Sequence, residues 1–437
     1  MILLFFRIRE MSMKTRLTQI LGIRYPIIQA SMAWIADAEL AGAVSAAGAL
    51  GTLGPNCGAR QVTRDVDEVG EKLRSQIRRV REITDQPFAV NFVVGVPGLD
   101  RQYSDRCVAV GIEEKVPVAI VSQGSPSVYT RRLKDADMKV IHVCSEVRHA
   151  LKAQEAGVDA VVVSGSEGGG HSGFHQNSTF CLVPQTVNRL EIPVVSGGGI
   201  GDGRGLAATM ALGAEGVYVG TRFIAVQECP AHDNMKQAIL ACDDTGTIAM
   251  RHGSPSAPRE KKSSNRGFVE ERRGSLRLIL NPFIRDAISE KGGDLSFDEM
   301  FKLLTARDPD MDETSNRTVD CFIHGNVGEN PVSAGQVAGL ISDIPTCSDL
   351  INRMVKEAEL TAGQLNTIIS NEDVPFGPPP KEYNYLCSQC KYEILVNEAI
   401  IDVEIGIAEF EGKWHEGFMP VLGCPGCNKE TMKYAGT

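Results

Sequence analysis

The sequence lacks long apolar runs, an excess of basic charge and a recognisable leader. No uninterrupted hydrophobic stretch approaches the roughly 18 residues that a membrane-spanning helix needs, so no membrane partner is expected. Lys and Arg number 45 against 55 Asp and Glu, a formal net charge of −10 at pH 7. Without a basic footprint, nucleic acid is not expected as the main partner. The opening run Met1-Ile-Leu-Leu-Phe-Phe6 is too short for a signal-peptide core, and Arg7 and Arg9 follow it instead of preceding it. Residues 1–12 therefore read as a disordered extension, and the cytoplasm is the expected location. Eight of the 12 cysteines are scattered without regular spacing, as reduced and mostly buried thiols are.

What is present can build a large core. The chain has 437 residues, 43% hydrophobic and 23% charged, which suits one large globular domain and something smaller. Its 44 glycines gather in short runs. Such runs mark places where backbone turns with positive φ or approaches a ligand.

Over the first 225 residues, eight short apolar runs alternate with helical patterns. The runs are 26–30, 49–54, 88–94, 116–122, 139–144, 160–164, 193–196 and 216–220. Helical segments are expected at 37–47, 60–84, 145–156 and 203–212. Continuous apolar strands imply a parallel sheet buried on both faces, and eight such units point to an α/β fold of the (β/α)8 TIM-barrel type. An open Rossmann sheet is the alternative arrangement of the same units. The polar and Gly-rich residues favour the barrel, because they follow the C-terminal strand ends: Gln29 to Met32, Asn91, Gln123, His142, Ser164 to His171, Gly197 to Gly199, and Gly220 with Thr221. That rim is where a TIM barrel assembles its active site.

The barrel is expected over residues 13–241. Residues 242–372 read as an insertion and a small helical capping subdomain, with helices near 281–290, 297–304 and 347–370 and a basic loop at 251–277. Residues 373–384 are a Pro-rich linker, and 385–437 form a separate module. Two glycine clusters carry the chemistry of the barrel: Ser164–Gly173, containing Glu167-Gly-Gly-Gly-His171, and Val195–Gly205, followed by Gly220-Thr-Arg-Phe223. Loops after the seventh and eighth strands, with helix N-termini behind them, form a site for a single phosphate. FMN or a sugar phosphate suits it; a dinucleotide favours the Rossmann arrangement.

From about Lys14 to Glu359 the sequence resembles the nitronate monooxygenase (2-nitropropane dioxygenase) family and the related flavin-dependent enoyl-ACP reductase of type II. The resemblance rests on Tyr25-Pro-Ile-Ile-Gln-Ala-Ser-Met-Ala33, Ala89-Val-Asn-Phe92, Glu167–Gly173, Gly198–Gly205, Gly220–Phe223 and Ala334–Leu340. It implies bound FMN, with Met32 and Asn91 lining the isoalloxazine and Ser164 and Gly169 contacting the flavin. It also implies that Gly198, Gly199, Gly220 and Thr221 hold the phosphate, and that His171 is the catalytic histidine. Three positions depart from the family pattern, which usually has Gln or Glu at Ser164, Ala at Gly168 and Ala at Gly197. Oxidation of alkyl nitronates by oxygen, with His171 as base, is one activity the resemblance implies. NAD(P)H-dependent reduction of enoyl thioesters or quinones is the other, and His171 serves both. A loop histidine that merely orders its turn, on a non-catalytic flavin-binding scaffold, is the reading from another class.

The last module carries Cys387-Ser-Gln-Cys390 and Cys424-Pro-Gly-Cys427. Two C-x-x-C knuckles at this separation, flanking strand-like runs at 392–396 and 400–407, read as a zinc ribbon whose four thiolates hold a structural Zn²⁺. A rubredoxin-like iron site and a pair of redox disulfides are the alternatives. Such a module can also dock a protein partner. Oligomeric state stays open, a homodimer being one option.

Overall fold

The computed structural model describes residues 13–95, 101–252, 274–290, 316–369, 381–410, 412–415 and 418–435. All eight apolar runs form strands. In chain order these are β1 (Ile27–Gln29), β2 (Gly51–Leu53), β3 (Phe88–Val93), β4 (Val118–Ser122), β5 (Lys139–Cys144) and β6 (Ala160–Ser164). A short strand, β7 (Gly170–Ser172), lies in the loop after β6, and β8 (Val194–Gly197) and β9 (Gly216–Val219) complete the set. Seven parallel pairings order the other eight strands as β1-β9-β8-β6-β5-β4-β3-β2, and an Ile28↔Leu50 bridge joins the two ends. The sheet is therefore a closed TIM-type barrel, not the open alternative.

Side-chain alternation explains why these strands are apolar throughout. Ile28, Leu50, Ala89, Ile120, Ile141, Val162 and Val195 share one core inside the barrel. Their neighbours Val90, Phe92, Val121, Val140 and Val161 pack outward against the helices. Each fully buried Val, Ile or Phe side chain stabilises the fold by about 1.5–3 kcal/mol. The four helices fall where expected, and three of them are capped by acidic side chains. Asp37, Asp65 and Asp202 accept backbone N–H groups at the starts of Ala38–Ala46, Val66–Ile83 and Gly203–Ala211.

Contacts divide the chain into units 1–362 and 363–437, so the segments after the barrel group with it as far as Ala362. That region includes helix Pro282–Glu290 and most of helix Cys347–Ile369. It also contains strands the sequence reading did not anticipate. β10 (Thr247–His252) and β11 (Gly274–Ile279) pair antiparallel, and β11 also pairs with β7. The two ends of the expected basic loop 251–277 are thus strand. Ile248, Met250, Leu276 and Leu278 fall at every second position of their strands and pack with Ile284 into a small core of their own. Positions 253–273, the expected helix at 297–304, and residues 1–12 and 373–380 lie outside the described residues.

The C-terminal unit forms β12 (Glu382–Cys387), β13 (Glu393–Asn397), β14 (Leu422–Gly423) and β15 (Glu430–Tyr434), in the sheet order β13-β12-β15-β14. The run at 392–396 is found as β13. The run at 400–407 is not a strand: it lies in helix Glu398–Phe410. Ile401 and Ala408 are buried and Ile405 packs with Ile401 in one core, a spacing of four and three residues that only a helix turns to one side. Among the described residues, no helix is long and apolar enough to cross a membrane.

Candidate active site

Above the barrel's apolar interior the inward positions become small or polar. Two residues beyond each core residue, the alternation places Ala30, Thr52, Asn91, Ser122, Val143, Ser164, Gly197 and Gly220 at the C-terminal mouth. Asn91 is buried, and its Nδ2 donates to Ile120 O and Ser122 Oγ, both at 3.1 Å. Gln29 and His142, which the sequence placed on this rim, have the opposite parity and face the helix layer with Ile27 and Val140. Gln29 Oε1 there accepts from Thr52 N at 2.8 Å. His142 is buried with Nδ1 unpartnered, and burial pushes its pKa down to about 4.

The loop after β1 carries Met32, half-buried. It is pinned by Tyr218 of β9, whose hydroxyl accepts from Ser31 N at 2.9 Å and lies 3.0 Å from Ser31 Oγ. Burial raises the Tyr218 pKa, which keeps the phenol neutral. Trp34, at the end of this loop, holds φ 72°, a left-handed conformation that a bulky residue adopts only under constraint. Its N–H donates to Pro55 O at 2.9 Å.

His171 sits in β7, opposite Leu276 of β11, in the sixth strand-to-helix loop and exposed. On the other face of that sheet, Ser275 Oγ contacts Ser172 Oγ and Gln176 Nε2. Arg277, paired with Gly170, donates through Nε to Ser166 O at 2.8 Å and through Nη1 to Thr247 Oγ1 at 3.2 Å. A buried guanidinium thus grips the loop that carries the histidine. Glu167 in the same loop accepts from Thr179 N at 2.8 and 3.0 Å and from Thr179 Oγ1 at 3.0 Å. Ser164, Gly168 and Gly197, the three departures from the family pattern, prove to be neighbours. A Cβ on Gly168 would lie 3.0 Å from Ser164 Oγ, and one on Gly197 would lie 3.3 Å from it.

The phosphate end was expected on helix N-termini after the seventh and eighth strands, and the structure separates the two. The start of Gly203–Ala211 is taken by carboxylates: Glu357 accepts from Gly203 N at 2.9 Å and Asp202 from Gly205 N at 3.0 Å. An anion is disfavoured there. Helix Thr221–Ile224 begins at Gly220 with no side chain capping it, and a Cβ on Gly220 would have only Ala30 Cβ nearby, at 3.6 Å. Gly198 and Gly199 hold φ 91° and 75°, which a side chain would strain. An uncapped helix start beside a left-handed glycine pair fits a phosphate.

The four C-terminal cysteines converge. Their sulfurs all lie within 4.8 Å of one another, with Cys387 and Cys427 at 3.8 Å and Cys390 and Cys424 at 3.5 Å. Tetrahedral thiolates with bonds of about 2.3 Å have edges of about 3.8 Å. The two knuckles share one backbone design. Cys387 N donates to Tyr392 O and Cys424 N to Lys429 O, each at 2.8 Å. Lys391 and Asn428, each following the second cysteine, are left-handed at φ 61° and 57°. Cys387 Sγ also accepts from Gln389 N and Cys390 N, both at 3.4 Å. This arrangement fits a single metal ion.

Sequence reasoning missed Tyr218, Arg277, Glu357 and Gly335. Of these only Gly335 carried a signal, standing in the Gly-rich stretch Ala334–Leu340 that the barrel had not absorbed.

Known proteins bear on this geometry. The sequence model of the nitronate monooxygenase family matches residues 14–357. The chain is 31% identical over 364 residues to the (3aS,4S,5R,7aS)-5-hydroxy-7a-methyl-1-oxo-octahydro-1H-indene-4-carboxyl-CoA dehydrogenase of Rhodococcus jostii, covering 79% of this chain and 96% of that protein. It is 34% identical over 278 residues to the probable nitronate monooxygenase of Staphylococcus saprophyticus, covering 54% of this chain and 76% of the relative. Among solved structures, FabK from Thermotoga maritima is similar with a TM-score of 0.66 and 33% identity, covering 82% of this chain and all of that one.

Proposed function

The chain belongs to the nitronate monooxygenase family of flavin-dependent oxidoreductases, and from that premise we propose that it binds FMN and oxidises alkyl nitronates with oxygen, His171 serving as base. The observation that carries this reading is the barrel mouth itself. It joins a small, polar inner layer, an uncapped helix start at Gly220 and a histidine held on its own strand. When bound, FMN supplies the electron transfer, from the nitronate and on to oxygen. The protein does the rest. Gly198, Gly199, Gly220 and Thr221 hold the phosphate. Met32, Asn91, Ser164 and Gly169 border the ring. His171 takes the α-proton of a nitroalkane or hydrogen-bonds the nitronate oxygens.

Twelve free thiols support a reducing compartment, the cytoplasm. In this reading Cys387, Cys390, Cys424 and Cys427 hold one structural Zn²⁺. The relative named for a carboxyl-CoA substrate and the likeness to FabK favour a second reading, an NAD(P)H-dependent reductase of enoyl thioesters.

The test is oxygen uptake by the yellow protein with an alkyl nitronate. With the neutral nitroalkane, whose α-proton a base must remove, His171→Ala is expected to lower oxygen uptake by about 10²–10⁴-fold with flavin content unchanged. Equal turnover in the variant would remove His171 from the chemistry.

A further inference from the structure

We propose that Gly335 is a positioning residue that ties the phosphate end of the flavin site to the histidine loop, an inference that rests on the FMN reading above. Gly335 lies beyond β11, 114 residues from Thr221 in the chain, yet its N–H donates to Thr221 Oγ1 at 2.9 Å in a buried contact. The next residue, Gln336, donates its N–H to Glu167 O at 2.9 Å. The two backbones touch. A Cβ on Gly335 would lie 2.6 Å from Glu167 O, and one on Gly169 would lie 2.5 Å from the carbonyl carbon of Ala334. Gly335 itself has φ −83° and ψ 168°, open to any residue, so glycine is required here by closeness and not by conformation.

The consequence lies at the Thr221 hydroxyl. A hydroxyl has one proton and two lone pairs, and here one lone pair is committed to Gly335. The proton is thereby oriented away from Gly335 before any ligand arrives. A phosphate dianion offers only acceptors and needs that donor. Because Gln336 holds Glu167 O in the same stride, the segment Ala334–Gln336 sets the phosphate contact and the Glu167-to-His171 loop together.

Full-length apoprotein titrated with FMN and with riboflavin, which lacks the phosphate, tests this. Wild-type protein is expected to prefer FMN. Gly335→Ala, whose Cβ would press on Glu167 O, should weaken riboflavin through the histidine loop and FMN by about tenfold to a hundredfold more, the scale of one hydrogen bond to a charged group. Thr221→Val should show the same collapse of preference and Thr221→Ser should retain it, which keeps the question answerable where Gly335→Ala does not fold. Equal loss of both ligands in Gly335→Ala, or a preserved preference in Thr221→Val, overturns the proposal alone. A wild-type protein with no preference for FMN removes the phosphate reading and this proposal with it.

Discussion

Inside the barrel, the core residues from Ile28 to Val195 are aliphatic, and a second, larger core covers its outer face. In the C-terminal unit the buried core is Tyr385, Cys387, Val396, Ile401, Cys424 and Met432, so two of its six members are candidate metal ligands. That unit also leaves Leu395 and Val403 about 60% exposed, where the barrel's strand residues are nearly all buried. The difference is one of scale. A barrel of over two hundred residues removes enough apolar surface to order itself, and a module of about fifty does not. In the first region the ligand site rests on a fold that exists without it. In the second the ligand site and the fold are the same contacts.

The largest way to break that comparison is to strip the metal. Structural zinc sites of this type contribute about 10–16 kcal/mol at pH 7, more than a small unit's entire stability, so chelation should unfold residues 381–435 while the barrel keeps its melting temperature. The chain's two tryptophans report on the units separately, Trp34 in the barrel and Trp414 in the module. In a Trp34→Phe protein, chelator should change the emission and its quenching by iodide. No change on complete removal of metal, verified by elemental analysis, would make the module as self-sufficient as the barrel.

Acid should act through the barrel, and more weakly. His142 is held neutral by burial, its pKa pushed down to about 4. The unfolded chain takes up this proton near pH 6.5, so the unfolded state binds more protons between the two values. Stability is full above about pH 6.5 and is lost as the pH falls toward 4, by about 3 kcal/mol in all. His142→Gln should flatten the melting temperature across that window. An unchanged slope would assign the acid sensitivity to other groups.

Much of this was legible in the sequence, for definable reasons. Parallel strands buried on both faces leave continuous apolar runs, and all eight were found. Knuckle cysteines keep fixed spacing, and their sulfurs converge. The helix Glu398–Phe410 was hidden because Ile401, Val403, Ile405 and Ile407 alternate as a strand would, while the buried side follows Ile401, Ile405 and Ala408. β11 was hidden because its partner β7 lies about a hundred residues away and its neighbourhood is basic. Arg277 and Gly335 act on the histidine loop only through such long-range contacts, which no local pattern encodes. Even the three departures at Ser164, Gly168 and Gly197 were scattered in sequence, and only the fold makes them one place.

The central claim is that the flavin is reduced by a nitronate at the mouth that His171 borders. The direct measurement is made without oxygen: the yellow protein is mixed with an alkyl nitronate, with NADH or with NADPH, and the loss of flavin absorbance is followed. Rapid bleaching by the nitronate alone is the predicted result. Bleaching by NADH or NADPH, with none by the nitronate, would contradict it and make this chain a reductase.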